Sequence, residues 1–143
     1  MKYHFKVYKE GKHFWTRCIE LEGCVTQAEN MHDLLENMQE VLNLYVQEPD
    51  DSTDLAALPD ESVRKSKNVV EIALDPEIAF SFMVRYHRLK HGMTQKEAAK
   101  EMGFDTIYSY QRLEAKRCNP SLKIISKIKK LFPDFSIDYA LSY

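Results

Sequence analysis

The stretch TQKEAAKEMGFDTIYSYQRLEAKRCNP, residues 94–120, decides how the second half of this 143-residue chain folds. Thr94 and Glu97 match the S/T-x-x-E capping box, which satisfies the free backbone amides at the start of a helix. Gly103 predicts where that helix ends, because glycine enters the left-handed backbone region without steric cost. The stretch therefore predicts a short helix followed by a tight turn.

A second helix is predicted directly after this turn. Asp105 or Thr106 can cap it, and its predicted range is 106–114. Two helices around a glycine-containing turn are the outline of a helix-turn-helix, in which the second helix enters the major groove of DNA. The pattern thus indicates a DNA-binding function.

The same stretch resembles the phage-repressor-type helix-turn-helix family. The residues that carry the resemblance are Thr94, Gln95, Glu97, Ala99, Gly103, Leu113, Glu114 and the run Asn119-Pro120-Ser121-Leu122. The chain departs from that pattern by one extra residue between Gly103 and Leu113. It also has Lys116 where the family usually has glycine. The second difference predicts a longer helix or a strained cap after Glu114.

Eight residues are predicted to contact DNA. Five lie near the start of the second helix or along it: Thr106, Ile107, Tyr108, Ser109 and Arg112. Arg112 suits a guanine, and Ile107 or Tyr108 suits a thymine methyl group. The other three, Gln95, Lys116 and Arg117, suit phosphates.

The charge distribution separates the chain into two halves. Residues 1–75 hold 8 Lys and Arg against 15 Asp and Glu, a net charge of −7, whereas residues 76–143 hold 12 against 7, a net charge of +5. A basic half suits phosphates, and an acidic half suits a basic protein partner. Two different partners are therefore expected.

The first 75 residues predict a small α+β domain with the order β-β-β-α-β. Strands are predicted at residues 2–9, 13–21, 25–28 and 68–74, and an amphipathic helix is predicted after Asn30. Residues 48–67 lack a sustained period and contain two prolines, so they are predicted to form a loop or linker.

This half is similar to the HicB antitoxin family. The similarity rests on the hairpin, Trp15 in its second strand, the run Glu22-Gly23-Cys24-Val25-Thr26, the covering helix and the returning strand. It implies a partial ribonuclease H-like domain that binds a small basic HicA-type toxin, an enzyme that cleaves messenger RNA. HicB proteins also commonly carry a C-terminal DNA-binding module, which fits the helix-turn-helix predicted here.

The toxin-binding residues implied by this resemblance are mostly acidic. They are Trp15, Glu20, Glu22, Asp50, Asp51 and Asp54. Ribonuclease H chemistry needs carboxylates that hold two metal ions at a strand-lined site. Glu20 and Glu22 flank a strand end, and Asp33 and Glu36 lie on the exposed helix face. Because none of these four acids stands mid-strand among apolar neighbours, the domain is predicted to be non-catalytic.

No cofactor and no metal site are predicted. Three cysteines, Cys18, Cys24 and Cys118, lack the paired spacing of zinc ligands, and an odd count without a signal peptide favours a reducing, cytoplasmic location. His87 and His91 are one helical turn apart and can bind a metal at that spacing, but the sequence offers no third ligand. No apolar run is long enough to span a membrane.

The remaining segments predict helices and a packed tail. A helix from Pro76 to about His91 is apolar around most of its circumference, so it packs either on the first domain or on a second copy of the chain. Ser121 is predicted to cap a helix whose buried stripe is Leu122, Ile125, Ile128, Leu131 and Phe132. The residues after Pro133 alternate and can add a strand across a dimer.

The sequence thus predicts an α+β protein with two domains: a β-β-β-α-β domain over 1–75 and an all-α helix-turn-helix domain over 76–143. The expected function is that of a type II antitoxin. It neutralises a HicA-type toxin and binds double-stranded operator DNA as a homodimer or higher homo-oligomer, repressing its own operon. The alternative is a stand-alone helix-turn-helix transcription regulator whose first domain senses a small molecule.

Overall fold

A computed structural model describes residues 1–47, 55–115 and 117–142. Within this part of the chain the fold is mixed α+β, with a four-stranded antiparallel sheet and six α-helices, which confirms the predicted class. The described residues divide into two compact units. The first unit holds residues 1–47, 55–75 and Ser142, and the second holds residues 76–141. None of the described helices has the length and apolar character needed to cross a membrane.

The first unit is built on an antiparallel sheet with the strand order β3-β2-β1-β4. The strands are β1 (Lys2–Glu10), β2 (His13–Cys18), β3 (Val25–Ala28) and β4 (Val69–Ala73). Gly11 forms the β1–β2 turn at a φ of 59°, which explains why glycine stands there. The last strand returns to pair with β1, as its alternating apolar residues predict.

One face of this sheet is covered by helix α1 (Met31–Gln47). Tyr3 and Phe5 on β1 are fully buried there, as are Leu34, Met38 and Leu42 on α1. The opposite face carries the even-numbered residues of β1, because successive side chains of a strand point to opposite sides. The burial pattern follows the helical and strand periods of the sequence.

The second unit is helical among its described residues. It contains α2 (Pro76–Lys90), α3 (Gln95–Glu101), α4 (Ile107–Gln111), a 3₁₀ turn (Arg112–Glu114), α5 (Leu122–Leu131) and α6 (Ile137–Ala140). Helix α2 is buried around most of its circumference. The homodimer stays a prediction.

Three expectations for this unit are wrong. Of the two alternatives predicted after Glu114, a longer helix or a strained cap, the longer helix is wrong: the segment ends as a 3₁₀ turn, and Ala115 is extended with a φ of −62° and a ψ of 161°. Leu122 is 84% exposed, because it is the first residue of α5 and precedes the turn that packs. The tail forms α6, not a strand, because Ser136 caps it by accepting a hydrogen bond from the Tyr139 amide.

The turn between α3 and α4 depends on Gly103. Its φ is 74°, its amide donates to the Lys100 carbonyl, and the Phe104 amide donates to the Ala99 carbonyl. These two bonds form the Schellman motif, in which the left-handed residue is usually glycine. The motif fixes the direction in which the chain leaves α3.

Substitution of Gly103 by alanine is expected to lower the free energy of unfolding by about 1–2 kcal/mol, the cost of a left-handed L-residue. No atom lies within 4 Å of a Cβ built at this position, so the cost comes from the backbone alone. Gly103→Asn is the matched control and should cost less, since asparagine tolerates this region. Urea denaturation measures both. An alanine variant as stable as the parent would contradict the role of this turn.

Candidate nucleic-acid interface

Helices α3 and α4 are placed by local signals in their own sequence. The Thr94 hydroxyl accepts a hydrogen bond from the Glu97 amide at the start of α3, and the Thr106 hydroxyl accepts one from the Ser109 amide at the start of α4. Ala98 is fully buried, so its small side chain permits the close contact between the two helices. The capping residues therefore define where both helices begin.

The exposed face of α4 brings together five of the predicted DNA-contacting residues. They are Thr106, Ile107, Tyr108, Ser109 and Arg112, all of them exposed. The side chain of Tyr108 is the most prominent, with 73% of its surface accessible. On the opposite side, Tyr110 and Leu113 are buried. Helix α4, its capping residue Thr106 and the 3₁₀ turn that contains Arg112 thus present hydroxyls, apolar groups and a guanidinium to solvent.

A buried ion pair holds the end of this segment against α2. The Arg88 guanidinium makes two hydrogen bonds to the Glu114 carboxylate, from Nε to Oε2 at 2.6 Å and from Nη2 to Oε1 at 3.0 Å. Arg85 adds a bond from Nη2 to the Glu114 backbone carbonyl at 3.1 Å. The Glu114 and Arg88 side chains are only 3% and 9% exposed. A bidentate pair of this kind fixes geometry as well as charge.

The electrostatics of this pair follow from its burial. Burial by itself lowers the pKa of Arg88, but the hydrogen bond and the charge of Glu114 outweigh it and the pKa is raised. Burial also raises the pKa of the neighbouring Tyr110 hydroxyl, and the negative charge of Glu114 adds to that effect. Arg88 therefore remains charged near neutral pH, and Tyr110 remains neutral.

Sequence reasoning missed Arg85 and Arg88. Both stand in the apolar α2 sequence, and both are buried. A signal was present, since two arginines three residues apart within an apolar helix need a buried acid as a partner. The acid is Glu114, a residue that the helix-turn-helix pattern singled out without stating its role.

The Gln95 side chain is hydrogen-bonded to other residues of the second unit. Its Nε2 donates to the Glu114 carboxylate at 3.3 Å, and its Oε1 accepts from Gln111 Nε2 at 3.1 Å. The side chain is half-buried and extends the polar network around Glu114. The Gln95 side chain therefore supports α4, and its contact with a phosphate stays a prediction.

Two basic residues, Lys116 and Arg117, follow the 3₁₀ turn. Arg117 is exposed, and its Nη1 lies 3.7 Å from Oε2 of Glu77, which is also largely exposed. An exposed pair at this distance contributes little stability, so the guanidinium can exchange Glu77 for a phosphate. Lys116 lies outside the described residues.

Three of the residues predicted to bind a toxin, Trp15, Glu20 and Glu22, lie in the described part of the first unit. Trp15 stacks on Tyr8 across neighbouring strands, with ring centroids 4.1 Å apart, on the sheet face opposite α1. Glu22 is exposed. Asp50, Asp51 and Asp54 lie outside the described residues.

Glu20 requires a correction. Its carboxylate accepts hydrogen bonds from the amides of His4 and Asp60 at 2.9 and 3.0 Å, and it lies 2.7 Å from His4 Nδ1. The Glu20 side chain is 3% exposed, so its carboxylate is paired within the first unit and is not accessible to a partner protein.

Positive charges surround the stacked aromatic pair. Arg17 Nε donates to the Tyr8 hydroxyl at 3.3 Å, which lowers the pKa of Tyr8, and Lys6 Nζ lies 5.5 Å from the centre of the Tyr8 ring. This sheet face is thus aromatic and basic around Trp15, whereas the sequence predicted an acidic surface for the partner.

Comparisons with known proteins add no relative. No protein-family model matches the chain, and no curated protein is significantly similar to it. The resemblances to the HicB antitoxins and to the phage-repressor helix-turn-helix therefore rest on the residues quoted above.

Proposed function

We propose that the second unit is a helix-turn-helix module that binds double-stranded DNA. The observation that carries this proposal is the exposed face of α4, which is held by the buried ion pair between Arg88 and Glu114. Sequence recognition needs side chains that keep a fixed position against base edges. The Gly103 turn and the ion pair provide that rigidity at opposite ends of the same segment.

In this proposal the side chains of α4 have separate tasks. Arg112 forms a bidentate contact with a guanine, and Ile107 or Tyr108 contacts a thymine methyl group. Thr106 and Ser109 hydroxyls bond to bases or phosphates. Lys116 and Arg117 contact phosphates, which contribute affinity without sequence preference. The net charge of +5 over residues 76–143 favours the approach to DNA.

The direct test uses the DNA that lies upstream of the chain's own coding sequence. The full chain should bind this duplex roughly 10³-fold or more tightly than a scrambled duplex of the same composition. Fluorescence anisotropy at fixed salt measures both affinities. Equal affinities for the two duplexes would contradict autorepression.

We further propose that the chain is a HicB-like antitoxin of a type II toxin–antitoxin system. What supports this is the order of the first unit, β-β-β-α-β, followed by the helices α3 and α4 around a glycine turn. Glu22 is exposed and available to a basic partner, whereas the face around Trp15 is basic and does not itself favour one. The first unit binds a HicA-type toxin and occludes its RNA site. The second unit, as a homodimer, represses transcription of the operon, and the chain itself is not an enzyme.

Co-expression with a neighbouring short reading frame for a small basic protein tests the antitoxin proposal. The chain should co-purify with that protein and relieve its toxicity to growth. Trp15→Ala should weaken the complex at least about tenfold, since tryptophans are common binding hot spots. His13→Ala, an exposed neighbour on the same sheet face, is the matched control. A chain that binds operator DNA but captures no toxin is instead the stand-alone regulator.

A further inference from the structure

The second unit contains a cluster of metal-binding groups far in sequence from the proposed DNA contacts. His87, His91 and Asp134 each offer one ligand atom, and the three atoms lie within 4.8 Å of one another. His87 Nδ1 is 3.5 Å and His91 Nε2 is 3.9 Å from the same oxygen, Asp134 Oδ1. The carboxylate thus supplies the third ligand that the sequence did not reveal for the two histidines.

The hydrogen bonding of His91 leaves the correct nitrogen available. Its Nδ1 lies 2.7 Å from the His87 backbone carbonyl, which can only accept a hydrogen bond. Nδ1 therefore carries a proton, and in the neutral ring it is Nε2, the nitrogen facing Asp134, that has the lone pair for a metal. Metal-ligating histidines are commonly oriented in this way, by donating their second nitrogen to a backbone carbonyl.

His87 has a buried polar atom that needs a partner. Its side chain is 4% exposed, and Nδ1 makes no hydrogen bond among the described residues. The rings of Phe132 and Phe135 lie 5.9 and 5.3 Å from the His87 ring and shield it from water. Among the described residues, the polar contact of this atom is its 3.5 Å approach to Asp134 Oδ1, which is too long for a good hydrogen bond, so a direct bond to an ion would improve its pairing.

We propose that His87, His91 and Asp134 form a binding site for one zinc ion. Two imidazoles and one carboxylate are a common zinc ligand set, with water in the fourth position. Ligand atoms around a tetrahedral zinc stand roughly 3.3 Å apart, given bonds of about 2.0–2.1 Å. The separations of 3.5 and 3.9 Å from the two histidines to Asp134 need only a small contraction, and the two histidine nitrogens, which lie within 4.8 Å of each other, must also move closer. Asp134 is 46% exposed, which leaves a path for the ion from solvent.

The site joins two segments of the second unit. His87 and His91 stand at the end of α2, and Asp134 follows α5. A zinc ion therefore links the helix that carries Arg85 and Arg88 to the region after α5. Zinc binding is therefore expected to stabilise the second unit. This role is separate from the DNA binding proposed for the same unit.

The Lys90 ammonium group competes with a metal ion for the Asp134 carboxylate. Its Nζ lies 3.0 Å from Asp134 Oδ2, whereas the histidines face Oδ1. The carboxylate can serve both, but the positive charge of Lys90 opposes a second cation nearby. Lys90→Gln should therefore tighten zinc binding, and a cluster that serves only as an ion pair predicts no such gain.

The test is metal titration of the chelator-stripped full chain. Zn²⁺ should bind with one ion per chain and raise Tm, and Co²⁺ should give the visible absorption of a low-coordinate site. His91→Gln and Asp134→Asn, both at exposed side chains, should each weaken binding at least about tenfold. His32→Ala is the matched control, because His32 belongs to a fully exposed cluster with Asp33 and Glu36, and it should change nothing.

Two results would overturn the proposal. One is a chain that binds no Zn²⁺ in competition with a chromophoric chelator of micromolar affinity. The other is binding that persists unchanged in both His91→Gln and Asp134→Asn, which would place the ion elsewhere, for example on cysteine. Far-ultraviolet circular dichroism of each variant confirms that a loss of binding is not a loss of folding.

Discussion

Glu114→Ala is expected to lower the free energy of unfolding by about 3–5 kcal/mol, the cost of breaking a buried ion pair by removing one partner. The Arg88 guanidinium would remain buried, at 9% exposure, without its counter-charge. Gln95 would lose an acceptor as well. Since small domains are stable by only about 5–15 kcal/mol, this change removes a large share of the stability of the fold.

Chemical denaturation near pH 7 measures this effect, and Glu101→Ala is the matched control. Glu101 is an exposed acid at the end of α3, and its replacement should shift stability by no more than about 0.5 kcal/mol. If Glu114→Ala costs less than 1 kcal/mol, the pair with Arg88 does not hold the end of α4, and the rigidity assigned to this segment is wrong.

Arg112→Ala is expected to weaken binding to the cognate duplex by about 1–3 kcal/mol and to relax preference at one base pair. Arg112 is exposed, so its loss should leave the fold intact. The physical reason is the loss of two hydrogen bonds to a guanine edge, which no other base can replace. Affinities for the cognate duplex and for single-base variants give the result.

Arg117→Ala provides the contrast with this variant. If Arg117 contacts a phosphate, its loss should weaken binding to all sequences alike. It should also reduce the slope of log affinity against log salt concentration by about one. The two variants therefore differ in specificity and in salt slope, even where their losses of affinity are similar. Two variants that both bind like the parent would show that α4 does not face the DNA bases.

Local sequence signals were sufficient for much of the fold. The cap at Thr94, the glycine turn at Gly103 and the cap at Ser121 are all present, because each depends on residues within one helical turn. Strand β3 spans Val25–Ala28, as its sequence predicts. Short apolar patterns were less reliable: alternation after Pro133 fits either a strand or a helix turn, and the Ser136 cap favours the helix.

The features that sequence alone could not provide are contacts between distant residues. Glu114 pairs with Arg88, and Glu20 pairs with His4, so both acids are used inside the protein and not at its surface. Asp134 stands next to His87 only once the chain has folded. No local period encodes these neighbours, because they depend on how separate elements pack.

The most direct test of DNA recognition by α4 is selection of duplexes from a random pool by the full chain, followed by sequencing. We expect enrichment of a defined motif that includes a guanine, and the preference for this guanine should disappear when the selection is repeated with Arg112→Ala. Enrichment of no motif above the starting pool, or the same motif from both proteins, would contradict this expectation.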